Sequence, residues 1–84
     1  MDADDRVERE LHEPGFDGSL VIEVRDGTRL VHILGTRPPD EAAVEKEVPA
    51  DRDPELAELV ALVVAGDEGA AVRLLAHVGV LDPE

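Results

Sequence analysis

The chain has 84 residues, with 21 Asp and Glu against 8 Lys and Arg, a formal net charge of −13. It contains no Cys, Trp or Tyr and a single Phe and Met, so disulfide frameworks, thiolate zinc sites and thiol nucleophiles are excluded. That length holds one small domain without room for separate catalytic and substrate domains, and the negative balance disfavours nucleic acid and anionic lipid as partners.

The opening segment, MDADDRVERE, has neither the basic n-region nor the apolar h-region of a secretory leader. No apolar run approaches the ~18 residues that a membrane span requires. A cytoplasmic protein is therefore expected. Within residues 2–13, Val7 and Leu11 stand at i, i+4. That spacing predicts a short acidic N-terminal helix with one narrow apolar stripe. Pro14, Gly15, Asp17 and Gly18 then interrupt the pattern around Phe16.

The strongest local signal follows. Ser19–Arg25 and Thr28–Leu34 are β-rich runs separated by Asp26-Gly27, the type I′ hairpin dipeptide, because both central positions need positive φ. A two-residue loop pairs Arg25 with Thr28, Ile22 with Val31 and Leu20 with Ile33. One face then collects Leu20, Ile22, Val24, Val31 and Ile33, and the other Val21, Glu23, Leu30 and His32. A one-residue slip would mix the two sets, which fixes the register. Across the strands, Glu23 is a natural partner for His32.

Residues 35–52 read as an acidic connection. Within it, Val44 and Val48 fit either a short helix over 40–47, which Ala42, Ala43 and the glutamates favour, or a third strand over 43–48, which would relieve the marginal stability of a lone hairpin. Asp53 is a good N-cap with Pro54 at N1. Leu56, Leu59, Val60 and Val63 follow the helical template; Gly66-Asp67 ends this helix and caps the next, which Gly79 terminates. The expected fold is a single α+β domain: N-terminal helix, β-hairpin with a possible third short strand, and an antiparallel helical hairpin over 53–79.

Leu59–Ala65 is apolar on every side, as in helices covered all round. This predicts that Val60, Leu62, Val64 or Leu75 meets a second copy, giving a homodimer through the helical hairpin. The alternative is that the 35–52 connection folds over the helix and closes a monomeric core. Acids also cluster: Asp40, Glu41, Glu45, Glu47, Asp51, Glu55 and Glu58 are accompanied only by Lys46 and Arg52 among the bases. Such a field would steer a basic protein partner. Asn and Gln are absent and Lys46 is the only lysine, so biased genomic composition is a second source of the acidity.

Catalytic and metal patterns are sparse. Ser19 lacks a Gly-x-Ser-x-Gly setting, and His12, His32 and His77 lack ligand spacing. Asp51-Arg-Asp53-Pro-Glu55 begins like a calcium loop but carries Leu56 and Leu62 where Gly and Glu are needed. His77 falls with Arg73 on the polar edge of the last helix. The expectation is a non-catalytic interaction or regulatory module without metal or cofactor, of an immunity, antitoxin or adaptor type.

Gly15-Phe-Asp-Gly-Ser-Leu20 resembles the Gly-Phe-Asp-Ser-Leu segment of polyketide acyl carrier proteins. The resemblance implies a carrier role with Ser19 bearing phosphopantetheine at the start of a helix, although Gly18 separates the Asp-Ser pair here. The order helix, β-hairpin, helix, helix is likewise similar to megasynthase docking domains.

Overall fold

The computed structural model describes residues 6–81. Four strands, β1 (Arg6–Glu13), β2 (Phe16–Arg25), β3 (Thr28–Arg37) and β4 (Ala42–Pro49), precede a 3₁₀ turn (Ala50–Arg52) and two helices, α1 (Pro54–Val64) and α2 (Glu68–His77). The strands form one antiparallel sheet in the order β1-β2-β3-β4. The fold is thus a sheet-first α+β unit, and two expectations are corrected.

The described part of the expected N-terminal helix is β1; residues 2–5 of that segment lie outside the described residues. The spacing of Val7 and Leu11 is two strand repeats as well as about one helical turn, so it fits either period. Pairing decides: Val7 lies opposite Ile22 and Leu11 opposite Gly18. Val44 and Val48 carry the same ambiguity. The 40–47 segment is not helical; β4 runs through it, with Val48 opposite Val31 and Val44 opposite Gly35.

The central hairpin has the register that Asp26-Gly27 dictates, Arg25 opposite Thr28 and Leu20 opposite Ile33. Asp26 and Gly27 take φ of 56° and 81°, as a type I′ turn demands. Both strands are longer than the expected runs and bring Phe16 and Gly35 into the sheet.

The helices cover one sheet face. Leu11, Phe16, Leu20, Ile22, Val31, Ile33 and Val48 meet Leu56, Val60, Val63, Leu74 and Leu75 in a single core. Arg9, on the covered face of β1, donates from Nη2 to the Val63 carbonyl at 3.3 Å, which ties the end of α1 to the sheet. After α2, Val78 and Val80 are also buried. Asp53 caps α1 by accepting from the Leu56 N–H at 2.8 Å, and Asp67 caps α2 by accepting from the Ala70 N–H at 3.2 Å.

Much of the all-apolar stretch of α1 is covered by the chain's own sheet and by α2. Leu59, Val60 and Val63 face the core, Leu62 and Val64 are half-buried at its edge, and the outward positions are Ala57, Ala61 and Ala65, whose single methyl groups leave little apolar surface in water. No helix of the described residues is long and apolar enough to cross a membrane.

Candidate functional site

A strand alternates its side chains between faces, so the face away from the helices can be read from the register in rows. Arg6, Glu23, Leu30 and Pro49 form one row across β1 to β4. Glu8, Val21, His32 and Glu47 form the next, and Glu10, Ser19, Leu34 and Glu45 the third. His12, Asp17, Thr36 and Ala43 close the series. The centre is a short apolar column of Leu30, Leu34 and Val21 interrupted by His32. The edges are acidic, Glu8 and Glu10 on β1 and Glu45 and Glu47 on β4.

Charge is sorted between the faces. Glu8, Glu10, Asp17, Glu23, Glu45 and Glu47 all lie on the open side, leaving Glu13 as the only strand acid on the helix side. Most strand bases point the other way: Arg9, Arg29, Arg37 and Lys46 lie on the helix side, and Arg6 and Arg25 on the open side.

Those two arginines are already engaged. Arg25 donates to Glu23 at 2.9 Å and lies 3.8 Å from Glu47, and Arg6 lies 3.4 Å from Glu8 and 4.0 Å from Glu23. The hydrogen bond from Arg25 is the main reason the Glu23 carboxyl sits below the usual range, with the charges of His32, Arg25 and Arg6 adding to it against a smaller opposing effect of burial. His32 stands between two carboxylates, its Nε2 3.1 Å from Glu23 and 3.9 Å from Glu47. Glu45 makes no ion pair among the described residues. Leu34 beside it is the most exposed large apolar side chain of those residues, at 51%.

The acids expected to form one partner surface are divided. Glu45 and Glu47 are on the open face. Asp40 and Glu41 lie in the β3–β4 turn at one end of β4, and Asp51 follows its other end. An eight-residue strand separates the two groups by roughly 25 Å. Glu55 and Glu58 are exposed on α1, in the layer on the opposite side of the sheet.

The expected self-association residues are corrected in part. Val60 and Leu75 are fully buried and cannot reach a second copy, because the sheet occupies the faces left unaccounted for in the sequence. Leu62 and Val64 are half-buried against the core edge. Glu8, Glu10, Val21 and Leu34 share the open face with Glu45 and Glu47 and were not singled out from the sequence as site residues. For Glu8 and Glu10 the signal was the two-residue spacing of the acids within Val7-Glu8-Arg9-Glu10-Leu11, obscured by the i, i+4 pair Val7 and Leu11.

Ser19 lies inside β2, between Glu10 and Leu34, and not at the start of a helix, so the resemblance to carrier proteins does not extend to the fold. His77 turns from solvent toward α1: its Nε2 is 3.1 Å from an Asp53 oxygen. Among the described residues no group of three or more His, Asp or Glu is placed to hold a metal ion. In comparisons with known proteins, no family model, no curated protein and no solved structure matches the chain.

Proposed function

We propose that this chain is a non-catalytic interaction module whose open sheet face receives a basic segment of a protein partner. The observation that supports this is the sorting of strand carboxylates onto the one broad face left uncovered, around Val21, Leu30 and Leu34. Recognition surfaces combine a small desolvated apolar centre with a polar rim. A rim of one charge sign raises association rates with an opposite partner and repels like-charged ones. A second copy of this chain is a poor occupant of the face, since it would bring the same carboxylates against themselves. Cytoplasmic residence and an immunity, antitoxin or adaptor role belong to the same reading.

Paired charge reversals test it. A peptide of alternating Leu and Lys/Arg clusters is titrated against E45K/E47K, which alters the open face, and E55K/E58K, which changes net charge equally on α1. The open-face pair is expected to weaken binding at least tenfold and the helix pair less than threefold, with affinity falling as salt rises. Equal losses from both pairs would reduce the interaction to net charge and overturn the reading.

A further inference from the structure

We infer that the occupant of the open face is an amphipathic helix with basic flanks, laid along β2 and β3 so that the complex becomes a three-layer helix–sheet–helix unit. The inference rests on the interaction reading just given and adds the shape of the partner. It follows from where the apolar and acidic residues fall on the sheet.

Val21, Leu30 and Leu34 all belong to the two central strands. An occupant that desolvates them has to lie over the middle of the face. A strand added at the β4 edge would meet Glu45 and Glu47 and leave the apolar column in water. A sheet face is covered by a helix or by a second sheet. Neighbouring strands are about 4.8 Å apart, so β1 and β4 stand about 14 Å apart across three spacings. One helix, with side chains, is about 10–12 Å wide and fills that span alone. Its two flanks then lie over the Glu8/Glu10 row and the Glu45/Glu47 row, and long basic side chains can bury their stems while their heads reach the carboxylates.

Along the strand, Leu30 and Leu34 are four residues apart, about 13 Å in an extended chain. That distance is about two and a half turns of helix, so apolar residues at i, i+4 and i+7 of the partner reach the column. His32 lies between the two leucines, where it meets the partner's central stripe at its half-buried ring.

Three synthetic peptides of identical net charge decide the matter, measured with the full chain at low and moderate salt. The first is an amphipathic helix of about 18 residues with a leucine stripe and Lys/Arg flanks. The second holds the same residues reordered to abolish the stripe. The third alternates Val and Lys to favour a strand. The first is expected to bind at least tenfold more tightly than the others, to gain helical circular dichroism on binding, and to lose at least tenfold in affinity to L34K. Equal affinity of the first and second peptides, or tightest binding by the third, overturns the helix inference while the basic-partner reading stands. Absence of binding by all three at low salt overturns both.

Discussion

Asp53 does two jobs with one carboxylate. It accepts from the Leu56 N–H at the start of α1, and it lies 3.1 and 3.2 Å from Nε2 of His77 in the last turn of α2. A negative group at a helix N-terminus and a potentially positive one at a helix C-terminus each complement the local dipole, so this pair closes the open end of the helical hairpin. The Leu56 hydrogen bond is the leading reason the Asp53 carboxyl lies below the ordinary value of 3.8, with His77 and Arg52 contributing against a smaller opposing effect of burial. A carboxyl depressed in the folded state stabilises it above the ordinary value, and that contribution disappears as pH falls through the folded one. Asp67 caps α2 and has as its second neighbour Arg73 of the same helix, 3.8 Å away, an exposed ion pair that contributes little and does not reach across to the other helix. D67A is therefore expected to cost about 1 kcal/mol, the usual loss of an N-cap, and D53A more. Thermal melts across pH check both: the deficit of D53A should be complete near pH 6 and shrink below about pH 4. A deficit for D53A no larger than that for D67A would show that the contact with His77 adds nothing, and one independent of pH would contradict a carboxyl depressed in the folded state.

Among the elements, the strands bear the tightest constraints. Gly18 and Gly35 face each other on the covered side of β2 and β3, and a methyl group on Gly18 would come within 2.2 Å of the Leu34 carbonyl oxygen and 2.5 Å of the Gly35 Cα. Phe16 lies against the same spot: a Cβ on Gly35 would meet its ring at 2.8 Å. An aromatic ring over paired strand glycines replaces the side chains that glycine lacks. G18A is expected to cost about 2–3 kcal/mol through forced backbone displacement, and F16A about 3–5 kcal/mol through cavity formation. Urea titrations would read these as lower midpoints, and a loss below about 1 kcal/mol for G18A would contradict the close packing. These features also mark the limits of sequence reading. The Asp26-Gly27 turn and the caps at Asp53 and Asp67 were legible because one local geometry demands those residue types. Phe16 was hidden between turn formers, since its role depends on Gly35, nineteen positions away. β1 was misread and β4 left open between helix and strand because two apolar residues at i, i+4 satisfy both periods, and only pairing with a neighbouring strand separates them. The instability of a lone hairpin pointed the right way for β4, and helix propensity, a weak local preference, was overridden by tertiary pairing.

At the scale of the molecule, the dominant feature is an asymmetric sheet. One face is buried under two capped helices; the other presents a small apolar centre between acidic edges. The same acids that define the open face blunt the outer strands, since charged edges resist adventitious pairing with other chains. The candidate site was only half legible. Glu45 and Glu47 were found from local charge density, whereas Glu8 and Glu10 depend on β1 being a strand. Asp40, Glu41, Asp51, Glu55 and Glu58 are near in sequence but are carried elsewhere by the β3–β4 turn and the chain reversal into α1. The most direct measurement is a map of methyl and amide NMR shifts on titration with the basic amphipathic helical peptide. A site on the open face predicts the largest changes on Val21, Leu30, Leu34 and the amides of Glu45 and Glu47. Changes centred instead on Leu62, Val64, Glu55 and Glu58 would contradict it.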